Sequence, residues 1–202
     1  MDYALPKKIR IGNYDYKIRT DFRLVLDIIT ALNDVELTFQ DKAWVTMQLL
    51  YKDYKKIPPQ NLQEAFEKAF VFINCGEYET KSNDVKLIDW EQDFKYIVAP
   101  INRTLGFECR NSRYLHWWTF ISAYMEIGEC VLSSIASIRN KKIRGKKLNE
   151  EEQEFYNRNK NIIDLRKKLS HEEKIEQELI EQKKIEHNQM IKEIKAQRLI
   201  RT

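Results

Sequence analysis

Few side chains in this 202-residue chain have the types and spacing that chemistry requires. The three histidines are His116, His171 and His187, and His171 stands beside Glu172 and Glu173 in an arrangement that could transfer protons. These carboxylates lie in a tail dense with acidic residues, where such neighbours arise by chance. Proton transfer also needs a concave site that tunes pKa values. We therefore expect no catalysis at this triplet.

Two further groups could bind a ligand or a cation. His116 precedes Trp117 and could line a pocket, although a lone helical histidine is more often a hydrogen-bonded core residue. Asp89, Glu91 and Asp93 could bind a cation. Acidic residues also complement the positive N-terminal end of a helix, and we favour this second role for them. No CxxC pair, Walker loop, Rossmann glycine pattern, HExxH or GxSxG motif occurs. The sequence thus predicts no enzyme, cofactor or metal site.

Composition limits where the chain can work. Charged residues make up 33% of it, and the mean hydropathy is -0.62. No run approaches the roughly 20 apolar residues that cross a bilayer. Residues 1–8 lack the basic start, apolar middle and small-residue cleavage site of a secretory signal. We expect a cytoplasmic protein with reduced cysteines and no membrane partner.

Basic residues concentrate in the C-terminal third. Residues 140–202 hold 17 Lys and Arg against 12 Asp and Glu. A block within them could neutralise nucleic-acid phosphates without sequence preference. No aromatic residue interleaves there for base stacking, so a solubilising loop is favoured over a nucleic-acid site. The candidate phosphate contacts are Lys141, Lys142, Arg144, Lys146 and Lys147.

An aromatic segment, residues 115–120, holds two of the four tryptophans side by side. Neighbouring helical residues project about 100° apart, so Trp117 and Trp118 broaden the apolar face of a helix. Such a face packs in the core, which is the usual fate of aromatics, or contacts a partner if it is exposed. The candidate partner contacts are Trp117, Trp118 and Phe120, followed by a thin apolar stripe in the tail formed by Phe155, Ile162 and Leu169.

Periodicity predicts a mainly α-helical chain behind a small N-terminal β-hairpin. Two alternating segments flank Gly12-Asn13, a pair typical of a two-residue hairpin turn. Apolar residues at helical spacing, with caps and breakers, then predict six helices. Pro100 is expected to kink the fourth by removing a backbone donor. The predicted helices cover residues 20/21–33, 38–57, 59–75, 89–105, 113–129 and 131–140, with a polar loop at 77–87.

The domain organisation follows from the same patterns. We predict a compact multi-helix domain over residues 1–140, a basic linker at 141–148 and a long charged helical tail at 149–202. The tail has no Pro or Gly, and its seven-residue apolar steps lose register after Ile175, so coiled-coil pairing is weakly supported.

With these residues in view, the chain resembles the bacteriophage gene-product-fifteen family of long-tailed phages over approximately residues 5–165. The C-terminal tail is longer than the resemblance leads us to expect. The motifs that carry the resemblance are Leu5-Pro6, Thr20-Asp21-Phe22-Arg23, Asp89-Trp90-Glu91-Gln92-Asp93, Leu115-His116-Trp117-Trp118 with Phe120, and Ile135 with Ile138-Arg139.

The resemblance implies a tail assembly chaperone that binds helical segments of the tape-measure protein, and other tail assembly proteins, in the host cytoplasm. A structural component of the finished tail is the alternative, and a non-specific nucleic-acid-binding protein is less favoured. Homo-oligomerisation stays open.

Overall fold

The computed structural model describes residues 4–77, 86–166 and 169–199. It confirms a mainly α-helical protein with a small N-terminal hairpin. Short 3-10 helices occur at Tyr54–Lys56, Pro59–Asn61 and Cys109–Asn111. In chain order the described strands and α-helices are β1 Lys8–Ile11, β2 Tyr14–Lys17, α1 Phe22–Leu32, α2 Phe39–Leu50, α3 Leu62–Ile73, α4 Trp90–Leu105, α5 Trp117–Met125, α6 Val131–Ile143, α7 Glu150–Ile163 and α8 His171–Leu199.

The hairpin forms where the sequence predicts it and is fastened to α3. Its strands are antiparallel, with Ile11 opposite Tyr14. Gly12 turns the chain at φ 53°, a conformation that glycine adopts without a steric penalty. The Gly12 N–H donates to both carboxylate oxygens of Glu64, at 3.1 and 3.2 Å. The hairpin therefore buries Ile9 and Ile11 against the helices.

Side-chain caps begin three helices at the predicted residues. Asp21 accepts a backbone N–H at the start of α1, and Asp89 accepts two at the start of α4. Thr38 and Asp41 form a reciprocal capping box on α2. Gly106 ends α4 in the left-handed conformation at φ 76°. Local sequence signals thus set these helix ends.

The fifth helix is shorter than the predicted range of 113–129, because the chain before it pairs with the start of α1. Asp21 and His116 form an isolated antiparallel bridge. The Trp117 N–H donates to the Thr20 carbonyl at 2.7 Å. Backbone groups committed to this bridge are held extended, so α5 begins only at Trp117.

The compact unit of the structure ends at residue 166, whereas the sequence predicts a boundary at residue 140. Helix α6 continues to Ile143, which places Lys141 and Lys142 in its last turn and not in a linker. Helix α7 packs against α6 and completes a second apolar cluster. Long-range packing therefore adds residues 149–166 to the domain, and the second unit, residues 167–202, contains α8.

The main core lies between the hairpin and helices α1 to α5. Its largest fully buried side chains include Trp117, Tyr51, Phe22 and Phe120. The smaller cluster is built from Ile135, Ile138 and Ile163. Among the helices that the structure describes, none is long and apolar enough to cross a membrane.

A buried ion pair joins the two clusters' helices. The Arg139 guanidinium contacts the Asp93 carboxylate at 2.6 and 2.9 Å, and both side chains are almost fully buried. The same guanidinium donates to the backbone carbonyls of Leu87, Ile162 and Ile163. Arg139 on α6 therefore holds α4, the segment before α4 and the end of α7 together. We call this set of contacts the Arg139 clasp.

Replacing Arg139 with methionine should lower the free energy of unfolding by about 3–5 kcal/mol, because Asp93 would stay buried without its counter-charge. Chemical denaturation followed by circular dichroism measures this change. The control is Arg158→Met, which removes an exposed ion pair with Glu154 within α7 and should change stability little. Equal losses in the two variants would contradict a special role for the Arg139 clasp.

Candidate functional site

The double tryptophan secures the end of α3. Trp117 is 1% exposed, and its Nε1–H donates to the Ile73 carbonyl at 2.8 Å. Trp118 is half-buried, and its Nε1–H donates to the Phe72 carbonyl at 2.8 Å. Carbonyls in the last turn of a helix lack the usual intrahelical partners, so the Trp117 indole supplies a donor to the Ile73 carbonyl. The Trp118 indole adds a second donor to the Phe72 carbonyl, which also accepts the Cys75 N–H. The pair is a packing and capping element.

Burial removes two of the leading partner-contact candidates from the surface. Trp117 is inside, and Phe120 is fully buried and stacks on Phe22 with ring centroids 4.4 Å apart. Their candidacy depended on exposure, which they lack because α5 packs against α1 and α4. Trp118 alone keeps a partly open face.

His116 is a hydrogen-bonded core residue. It is buried at the start of α5, where its Nδ1 accepts the Trp118 N–H at 3.1 Å. Its Nε2 lies 3.0 Å from the Pro6 carbonyl, an acceptor, so Nε2 carries the proton. Both ring nitrogens are engaged in positioning the chain, which fits the structural interpretation of this histidine.

The tail stripe proposed as a second contact set does not form one open surface. Phe155 and Ile162 are half-buried against the smaller core cluster, where α7 meets α6. Leu169 is half-buried and belongs to the second unit. The seven-residue step from Phe155 to Ile162 therefore reflects packing within the compact unit.

Ion pairs occupy part of the basic block. Lys141 binds the Glu152 carboxylate, and Lys142 binds Asp164 at 2.6 Å. The Lys142 ammonium also lies 3.7 Å from the centroid of the Tyr156 ring. The remaining candidates, Arg144, Lys146 and Lys147, have exposed side chains. Two lysines of the basic block therefore join α6 to the α7 region, and the other three basic residues face solvent.

The acidic residues at the start of α4 also have structural roles. Asp89 caps the helix, and Asp93 belongs to the Arg139 clasp. Across the described ranges, no group of three or more His, Cys, Asp and Glu residues is arranged to hold a metal ion.

Burial raises the pKa of the Cys75 thiol to about 11, with a smaller contribution from Glu77. That thiol is therefore protonated at neutral pH, the less nucleophilic form.

A partly exposed aromatic surface lies on α2 and α3, and we call it the aromatic ladder. It consists of Phe39 and Leu62, which are exposed, and of Phe66 and Phe70, which are half-buried. Phe39 is 71% exposed and meets Phe66 edge to face at 5.6 Å, and Phe66 meets Phe70 edge to face at 4.9 Å. Leu62 is exposed one helical turn before Phe66. The ladder is an apolar surface shaped by ring-to-ring contacts.

The periodicity that predicts the third helix runs through Leu62, Phe66 and Phe70, which recur every four residues, together with Ala69. In the structure, Ala65 and Ala69 lie on the buried face of α3, with residues near its end. Phe66 and Phe70 are half-buried, and Leu62 is exposed. Small residues on the core face permit close packing there, so the larger side chains of the ladder stay partly open to solvent.

A groove between α1 and α4 is a second apolar feature of the compact unit. It has a volume of about 360 Å³ and includes Leu26, Trp90 and Phe94 in its lining. Its cationic rim is already paired, because Arg23 binds Asp21 and Arg110 binds Glu108. The aromatic ladder presents more exposed apolar side chains than this groove, with Phe39 at 71% and Leu62 at 42%, and is the leading candidate for protein binding.

The fold and this surface define a mainly helical protein with a fastened N-terminal hairpin and an open aromatic face. The chain belongs to the Bacteriophage Gp15 protein family, whose model matches residues 1–165. The match ends one residue before the compact unit does. No curated protein and no solved structure matches the chain. Helix α8 therefore lies outside the family match.

Trp117→Phe should destabilise the protein by about 1–3 kcal/mol, because it leaves a small void and removes the donor to the Ile73 carbonyl. Thermal unfolding provides the measurement. Trp44→Phe is the matched control, since Trp44 is 57% exposed on α2. A larger loss in the control would contradict the capping role of Trp117.

Acid should weaken the contact between α6 and α7. Burial opposes the charge of Asp164, but hydrogen bonds from Lys142 and Tyr156 outweigh it and lower its pKa. The Lys141 hydrogen bond, with help from Asn149, lowers the pKa of Glu152. Because both carboxyls have lower pKa values folded than unfolded, their stabilisation is present above about pH 4 and disappears as the pH falls through the folded values.

Melting temperatures measured from pH 7 to pH 2.5 test this expectation. The double variant Lys141→Met/Lys142→Met should lose less stability over the acid range than the parent protein. An unchanged acid dependence would show that these two pairs do not contribute to it.

Proposed function

We propose that this phage protein is a tail assembly chaperone that binds amphipathic helical segments of the tape-measure protein in the host cytoplasm. Membership of the Gp15 family supports a phage role. The resemblance described above suggests the tape-measure protein as the partner. The observation that carries the proposal is the aromatic ladder on the matched unit, where Phe39 and Leu62 are exposed beside the half-buried rings of Phe66 and Phe70.

The ladder has the chemistry that a helical partner requires. A tape-measure chain exposes long apolar helix faces before tail-tube subunits surround it, and these faces would aggregate in water. An amphipathic helix presents side chains every three to four residues, which can lie against Phe39, Phe66 and Phe70. The aromatic rings supply a large apolar area with few rotatable bonds, so ordering them costs little entropy.

Neighbouring polar groups would limit contact to the apolar part of a partner. Beside the ladder on α3, Gln63 donates to Glu67 at 3.0 Å, and Lys68 binds Glu64 at 2.7 Å. These groups are already paired with one another within α3. Binding should therefore depend on buried apolar area and change little with salt.

Phe39→Ser/Leu62→Ser should weaken tape-measure binding with little change in folding, because both side chains are exposed in the free protein. Losing about 2 kcal/mol of apolar burial corresponds to a Kd about 30-fold higher. The full-length variant is co-expressed with the tape-measure protein, and affinity capture with light scattering at two salt concentrations measures the complex.

The matched control is Met125→Ser/Ile143→Ser, which removes two side chains that are 72% and 47% exposed on α5 and α6. It should bind like the parent protein. Equal weakening by both double variants would reject the ladder as the contact surface. Absence of a parent complex, with the chain present at stoichiometric copy number in purified virions, would instead favour a structural component of the tail.

A further inference from the structure

Helix α8 carries opposite charges on its two halves. Residues 171–182 contain five Glu and one Lys, a net charge of -4 with histidine neutral. Residues 183–199 contain five Lys and Arg against two Glu, a net charge of +3. At 1.5 Å per residue, the 29-residue helix is about 43 Å long, which separates the two charges widely.

Large apolar side chains are exposed along the same helix. Ile175, Leu179, Ile180, Ile185 and Met190 are each between 45% and 59% exposed. At about 100° per residue, Ile175, Leu179 and Met190 project within about 60° of one another. Two of these lie in the acidic half and one in the basic half. Glu186 projects within the same sector, so charge separates the patch formed by Ile175 and Leu179 from Met190. Apolar patches flanked by charge can pair helices, with the charges setting partner and direction.

We propose that α8 pairs antiparallel with α8 of a second copy of this chain. An antiparallel arrangement sets the acidic half of each helix against the basic half of the other, and brings Ile175 and Leu179 towards the partner copy's Met190 region. A parallel arrangement would oppose glutamates to glutamates and lysines to lysines. Like-charge contacts destabilise helix pairs, so the charge pattern selects both the occupant and its direction.

This pairing is separate from the proposed function. Helix α8 lies outside the residues that the family model matches, whereas the aromatic ladder lies within them. Self-association through α8 can therefore succeed or fail independently of tape-measure binding. The two are tested by different variants and different readouts.

Charge reversal in the full chain tests the occupant. An acidic-tail variant carries Lys183→Glu, Lys184→Glu and Lys192→Glu, and a basic-tail variant carries Glu176→Lys, Glu178→Lys and Glu181→Lys. Size-exclusion light scattering at low salt should find the parent protein dimeric and each variant's dimer Kd raised at least tenfold. An equimolar mixture of the two variants should form heterodimers, because their tails are complementary.

The matched control changes the same charge elsewhere, through Lys8→Glu, Lys52→Glu and Lys55→Glu, which lie in the compact unit with exposed side chains. It should dimerise like the parent protein. Circular dichroism of every variant checks that helix content is preserved.

Direction is tested by zero-length carboxyl-to-amine cross-linking of a mixture of isotopically light and heavy parent chains. Mixed light–heavy cross-links should join Glu176 or Glu178 of one copy to Lys192 of the other, positions that a parallel pair holds about 20 Å apart. Mixed cross-links that join Lys174 of one copy to Glu176 or Glu178 of the other, without links to Lys192, would overturn the antiparallel arrangement. A parent protein that stays monomeric at all concentrations would overturn the pairing, and the charges would then act only on the helix's own dipole.

Discussion

The Asp93–Arg139 ion pair is the constraint on which the compact unit depends. One guanidinium supplies donors to a buried carboxylate and to three backbone carbonyls from two distant segments. Its planar fork can satisfy several fixed acceptors at once, which an ammonium of a lysine cannot do with the same geometry. Because two of those carbonyls belong to Ile162 and Ile163, the clasp explains why the domain extends through α7 to residue 166.

The same device recurs at several other places in the described residues. Arg19 donates to three carbonyls at the end of α2, and Arg23 donates to three in the segment from Cys109 to Ser112. Trp117 and Trp118 do this for α3. Several residues that carry the family resemblance, including Asp21, Arg23 and Arg139, therefore satisfy buried or terminal polar groups and maintain the architecture.

Local signals predicted much of this fold, and long-range contacts decided the rest. Caps such as Asp21, Thr38 and Asp89 act within one turn, so the sequence near them sufficed. The start of α5 could not be read locally, because the bridge between Asp21 and His116 joins residues 95 positions apart. The α7 boundary depended on Arg139 in the same way. The aromatic ladder was missed because periodicity locates an apolar stripe without showing whether it faces the core.

The two proposed interaction surfaces rest on different physics. The aromatic ladder offers apolar area beside polar groups that are already paired, so its energetics come from removing rings from water. Helix α8 adds a charge pattern whose attraction is screened at physiological ionic strength beyond about 8 Å. Raising salt should therefore weaken self-association through α8 while tape-measure binding persists. A dimer that survives high salt would require its apolar residues, chiefly Ile175, Leu179 and Met190, to supply most of the stability, with charge setting direction alone.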